Sequence, residues 1–230
     1  MVEWSALWLT FKLASLTACL LLLVATPIAW WLSRSRSAVA IVIESLVALP
    51  LVLPPTVIGF YLLLLFSPSS ALGAWWFSLT NEQLTFSFSG LIIASVLYSL
   101  PFAVQPLYVA FSQVSDAVLE AGATLGASKP DRFISLVLPL SRRGYLTAFI
   151  MGFAHTVGEF GVVLMIGGNI PGETRLVSVV IYEAVETLNY EAAHALSLVL
   201  VGFSLMVLSL IYGLNRKALH PTFIQGASRA

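Results

Sequence analysis

Glu159 and His155 stand four residues apart inside an apolar run that covers residues 145–166. An ionisable side chain in such a run is a functional candidate, because hydrocarbon cannot solvate its charge. At that spacing the two share one helix face. They are not enough to hold a metal, which needs three or four protein ligands. Glu159 is instead expected to organise a pore or gate, by hydrogen bonding to neighbouring helices or as a neutral acid. The adjacent Gly158 and Gly161 permit close helix contact. A second candidate, Arg175, lies in the turn Pro171-Gly172-Glu173-Thr174-Arg175. It suits either an anion or an external protein, or a structural ion pair with Glu173. Catalysis by this chain is not expected. There is no G-x-x-x-x-G-K-[ST] phosphate cradle, the segment from Gly122 to Lys129 has the wrong spacing for one, and no nucleophile–base set or zinc motif is present.

The elements that position these residues follow from composition. Hydrophobic residues form 59% of the 230 and charged residues only 10%, with a mean hydropathy of +0.95. Soluble domains carry about 25% charged residues, so this chain cannot cover a water-facing surface and belongs in a bilayer. Formal net charge is zero, which gives no field to draw in nucleic acid. The lone Cys19 excludes an internal disulfide, and the N-terminal stretch lacks the basic region and cleavage site of a signal peptide. Five runs are long enough to span as helices: residues 13–32, 38–66, 90–111, 145–166 and 194–214. A sixth candidate at 175–193 holds Arg175, Glu183, Glu186 and Glu191 and reads as a surface or partly inserted helix. The expectation is an all-α membrane protein with about five spans, six at most. It forms one domain over residues 5–215 with a short tail over 216–230.

Charge gives the orientation. Arg34 and Arg36 follow the first span, Lys129, Arg132, Arg142 and Arg143 follow the third, and Arg216, Lys217 and Arg229 follow the fifth. Basic loops stay in the cytoplasm, so the N-terminus is expected outside and the C-terminus inside. Trp30, Trp31, Trp75 and Trp76 sit near span ends, as interfacial aromatics do. Inside the second span, Pro50, Pro54 and Pro55 must break the helix. A broken helix is tolerated where it faces protein or water, which makes these prolines and Gly59 candidate walls of a path.

The segment 115–143 is polar and glycine-punctuated. Ser115 or Asp116 can cap a first helix, Gly126 can end it in a left-handed turn, and Ser128 with Asp131 forms a capping box for a second. Pro139 marks the next break. The two short helices should project from the membrane and expose Ala121, Gly122, Ala123, Leu125, Phe133 and Leu136 for docking into a partner's groove.

Glu120-Ala121-Gly122, then Gly126, then Leu136-x-Leu138-Pro139 resembles the coupling loop of ABC-importer permeases. That pattern is E-A-A, three residues, G, nine residues, I-x-L-P, and here every spacing fits. Gly122 replaces the third Ala and Leu136 the Ile. Glu191-Ala192-Ala193 spells the tripeptide too, but Ser197 stands where Gly should be and no Leu-Pro follows, so spacing rather than the tripeptide is the signal. Residues 49–64 and 155–182 are similar to the molybdate/sulfate branch of these permeases, closer to its molybdate members. The resemblance implies a type I importer permease in the inner membrane. It further implies a homodimer, two copies of a cytoplasmic ATP-binding subunit that uses ATP and Mg, and a periplasmic or external oxyanion-binding protein, with no cofactor held by this chain. A carboxylate would repel a dianion, and no Lys or Arg lies deep in a span, so a low-affinity passage is expected. Sulfate or tungstate is the alternative cargo, and a proton-coupled secondary transporter with Glu159 as carrier is the alternative mechanism.

Overall fold

The computed structural model describes residues 3–219, and among them every regular element is helical. Helix α1 (Trp4–Arg34) holds 31 residues, about 46 Å of rise, more than the ~30 Å of a hydrocarbon core. Its inward stripe is small: Ala14, Ala18, Ala25 and Ala29 are fully buried. Small side chains let helices approach closely where lipid offers no hydrophobic drive to associate. Against this stripe lie α5 (Phe88–Ser112) and α9 (Arg142–Gly158).

Two of the five expected spans are not continuous helices. The run 38–66 divides into α2 (Ala38–Ala48), a tight turn over Leu49–Leu51 and α3 (Pro55–Phe66), bent by 110°. Pro50 stands in the turn, Pro54 occupies the N-cap position of α3, and Pro55 opens α3 at its first position, where the missing N–H costs nothing. After α4 (Ala71–Thr80), α5, α6 (Asp116–Thr124), α7 (Lys129–Arg132), α8 (Leu138–Leu140) and α9, the run 145–166 breaks in its turn. It resumes as α10 (Gly161–Gly167), bent by 66° from α9. Three helices are long and apolar enough to cross alone, and five spans result if each bent pair counts as one.

Three expectations are corrected. Trp75 and Trp76 are not at the end of a span. They ride on α4, capped by Ser70 and closed by Asn81 in the left-handed conformation at φ 57°. The 175–193 candidate forms α11 (Val177–Glu186), about 15 Å long and too short to span. One face, with Val177, Val179 and Val180, is buried where it packs on α1 and α12 (Tyr190–Leu219), while Tyr182, Val185 and Glu186 stay exposed. Thr10 of α1 fixes its start, accepting from the Val177 N–H at 3.0 Å. Of the tail expected over 216–230, residues 216–219 continue α12 and 220–230 lie outside the described residues.

Candidate functional site

The two breaks meet. A Cβ added to Gly161 would stand 2.7 Å from the Pro55 Cβ, and one added to Gly59 would stand 2.8 Å from the Met165 Cβ. Both glycines are therefore required by the close approach of α3 and α10. Beside this contact opens a cavity of about 490 Å³ lined by Pro55, Thr56, Tyr98, His155, Glu159 and Gly161. Of the expected path residues, Pro55 and Glu159 line it, whereas Pro50, Pro54, Gly59 and Arg175 do not.

Glu159 is not well inside a helix, as expected, but at the break. It is the C-cap residue of α9 with extended backbone at φ −71°, ψ 136°, so it leaves the helix face that holds His155. Its carbonyl accepts from the Ser178 hydroxyl at 2.7 Å. The residue is 5% exposed. The buried Ser95 hydroxyl on α5 lies near the Glu159 carboxyl, but no hydrogen bond of good geometry joins the two or reaches either carboxyl oxygen from the chain. His155 is engaged elsewhere: Nδ1 shares a 2.8 Å hydrogen bond with Ser99 Oγ, and the ring stacks on Phe102 at 3.9 Å. Among the described residues no three His, Cys, Asp or Glu side chains are grouped to hold a metal.

Arg175 pairs with Glu3 at 3.1 Å and Glu183 at 3.0 Å, not with Glu173. Glu183 also accepts from the Asn169 amide at 2.9 Å. Arg175 thus braces the start of α1 against α11, where two carboxylates already neutralise it.

The segment 115–143 lies at the other end of α1. Helix α6 ends in a Schellman turn: Ala127 N–H donates to Gly122 O at 3.0 Å, Gly126 N–H to Ala123 O at 2.9 Å, and Gly126 takes φ +84°. That geometry satisfies the last carbonyls and reverses the chain. Ser128 and Asp131 form the full capping box, whereas Ser115 occupies the N-cap of α6 without a side-chain bond. Pro139 does not break the second helix. The preceding turn, Phe133–Val137, widens to the five-residue hydrogen-bond spacing, with Leu138 N–H reaching Phe133 O. The helix thereby continues past a residue that has no N–H and whose ring crowds the previous turn.

Six residues were expected on the exposed face, and three turn inward. Phe133 packs edge-on to Trp30 at 5.4 Å. Leu136 and Gly122 face each other, and a Cβ on Gly122 would stand 2.9 Å from Leu136 Cδ1. The face left open comprises Glu120, Ala121, Ala123, Leu125, Ile134 and Leu138, with Leu125 88% exposed. Pro139 is exposed beside it. Glu191-Ala192-Ala193 merely starts α12. Sequence reasoning missed Ser95, Ser99, the packing of Trp30 on Phe111 and Phe133, and the contacts of Arg34. The serines were legible as polar residues in an apolar run, whereas Arg34 had been read only as a topogenic charge.

A family model described as the inner membrane component of binding-protein-dependent transport systems matches residues 22–225. The molybdenum transport system permease protein ModB of Azotobacter vinelandii is 54% identical over 92% of this chain and 94% of its own length. The ModB of Escherichia coli (strain K12) is 32% identical over 91% of each chain. The sulfate transport system permease protein CysT of that strain is 31% identical over 78% of this chain and 65% of its own. Among solved structures, a bacterial ABC transporter that imports alginate superposes with a TM-score of 0.72 at 16% identity, over 94% of this chain and 79% of that one.

Proposed function

The chain belongs to the family of binding-protein-dependent transport system inner membrane components, and from that premise we propose that it is the permease subunit of an ATP-driven molybdate importer. The observation that carries the substrate is the 54% identity to a molybdenum transport permease over nearly the whole of both chains. The broken spans supply a path, because two half-helices that meet at depth leave a cavity of about 490 Å³ beside them, and irregular backbone at that depth belongs where it lines a cavity. The open face of α6–α8 supplies the docking surface for a separate ATPase. Its shape suits a groove: apolar Leu125, Ile134 and Leu138 rimmed by Glu120. The basic residues Arg34, Arg36, Arg142 and Arg143 at that end support a cytoplasmic side for it, which would put the Arg175 brace outside, toward an oxyanion-binding protein. Two copies of the chain would close the path between them, with two ATPase subunits below.

No fixed cation lines the cavity, so this subunit passes the oxyanion rather than holding it tightly, and selection rests with the external protein. Reconstitution of the complex in vesicles tests the reading through ATP-dependent uptake of labelled molybdate with tungstate or sulfate as competitors. Sulfate competing as well as unlabelled molybdate overturns the substrate. Uptake without the ATPase, lost on adding an uncoupler, overturns the mechanism in favour of proton coupling.

A further inference from the structure

At the base of the bundle, one side chain joins three helices. Arg34 ends α1. Its Nη1 donates to Asp116 Oδ1 at 2.7 Å, in the first turn of α6. Its Nη2 donates to the carbonyls of Phe111 at 3.1 Å and Val114 at 2.8 Å, at the end of α5. Phe111 lies in the last turn of α5, where a cation is favoured, and Val114 in the link that follows it. The guanidinium also sits 4.8 Å over the Trp30 ring, and Trp30 in turn packs edge-on to Phe111 at 5.5 Å and Phe133 at 5.4 Å. Between α5 and α6 run only Gln113, Val114 and Ser115. Three residues between two helices form a joint that can bend at several torsions.

We propose that Arg34 is a positioning residue for energy coupling: its guanidinium locks the α5–α6 joint, so that movement of the docking segment becomes movement of α5 rather than bending of the link. The proposal rests on the reading that an ATPase docks on α6–α8. Helix α5 is the route to the path, because Ser99 and Phe102 on it hold His155 and Tyr98 lines the cavity. Asp116 is 80% exposed, and an ion pair with so exposed a partner adds little to stability. Arg34 is thus poorly explained as a folding device alone. A lysine cannot replace it, having no fork to reach two carbonyls and a carboxylate together.

The test uses the complex with its ATPase and binding protein in vesicles, comparing Arg34→Ala, Arg34→Lys and Asp116→Asn with wild type. Uptake per ATP hydrolysed should fall about five- to tenfold in Arg34→Ala, with hydrolysis itself within about twofold of wild type, the size of a modest coupling free energy. Arg34→Lys should fall between that variant and wild type, and Asp116→Asn should lose least because the two carbonyl bonds survive. Uptake and hydrolysis falling in parallel, or neither changing, overturns the proposal. If wild type shows no ATP-driven uptake, the functional reading fails, and a second measurement decides the joint by itself. Spin labels at Val109→Cys and Thr124→Cys, in a Cys19→Ala background, report the α5–α6 angle. A distance distribution broadened by Arg34→Ala supports the lock, and an unchanged one refutes it.

Discussion

The docking segment and the intramembrane breaks interrupt regular helix in opposite ways. In residues 115–143 the interruption is capped by local bonds, although Arg132 Nε and Ser141 Oγ are buried there without a partner from the chain. The Schellman turn at Gly126 uses the last carbonyls of α6, the capping box at Ser128 serves the next helix start, and Arg132 Nη1 donates to Leu119 O at 3.1 Å. Around the breaks, both Glu159 carboxyl oxygens and the Ser95 hydroxyl are buried without a partner from the chain. A segment that meets water must hold its own shape before a partner arrives. A break inside the membrane is shaped by neighbours instead, here the prolines and the glycine contacts of α3 with α10, and keeps polar capacity in reserve. The docking segment is thus shaped by caps close in sequence, and the breaks by contacts with neighbouring helices.

The largest effect that tests this contrast is expected at Gly126. Proline there cannot take φ +84° and removes the N–H bonded to Ala123, so Gly126→Pro should abolish molybdate uptake while the chain still inserts. Uptake in vesicles, with copurification of the ATPase, reads the loss at docking. Glu120→Lys reverses a charge on the open face and should act at the same step. Next comes Gly161→Val, which drives a branched side chain into Pro55. Overpacking of this kind costs about 1–3 kcal/mol, to be read as a lower thermal midpoint in detergent with uptake reduced about tenfold or more.

Glu159 divides the readings of the path. Gln keeps the size and hydrogen-bonding reach of Glu, so Glu159→Gln should retain most uptake if the side chain organises the break, and Glu159→Ala should lose several-fold more. Complete loss in Glu159→Gln, together with sensitivity to an uncoupler at constant ATP, would favour the proton carrier. The smallest effects belong to the docking segment's local devices. Ser128→Ala removes half of the capping box, worth about 0.5–2 kcal/mol, visible as faster amide exchange over 129–132. Gly122→Ala should be close to neutral, because the displacement of Leu136 Cδ1, which a Cβ would meet at 2.9 Å, offsets a helix-propensity gain of about 0.5–1 kcal/mol, and Leu136→Ile should shift that balance. A double-mutant cycle checks that coupling.

The same contrast explains what was legible in the sequence. Gly126, Ser128 and Asp131 act through bonds spanning three to five residues, so spacing revealed them before any coordinates. Pro50, Pro54 and Pro55 also act locally, and the first break was expected where it stands. The second was not, because no proline marks it. The chain leaves the helix at Glu159 where the carbonyl is taken by Ser178 and Gly161 rests on Pro55, contacts between distant parts of the sequence. Phe133 and Leu136 were assigned to the open face for the same reason. Their helical spacing was right, but only Trp30 and Gly122, supplied by tertiary packing, show which way they turn. Arg34, Arg175 and the burial of α11 likewise depend on partners more than 80 residues away in most cases, which periodicity cannot reach.

Helix α1 also carries a ruler. Trp8, 72% exposed, and Trp31, 40% exposed, stand 23 positions apart on α1, which holds Pro27 between them, about 35 Å of helical rise, and tryptophan prefers the headgroup level. That separation slightly exceeds the ~30 Å hydrocarbon thickness, so α1 must tilt to seat both rings. The two bent spans can yield to a thinner or thicker bilayer at their breaks, whereas α1 runs unbroken from Trp4 to Arg34. Lipid thickness therefore sets the tilt of the helix whose ends hold the Arg175 brace and the Arg34 joint, and the membrane's composition becomes a quiet input to how well both ends are aligned.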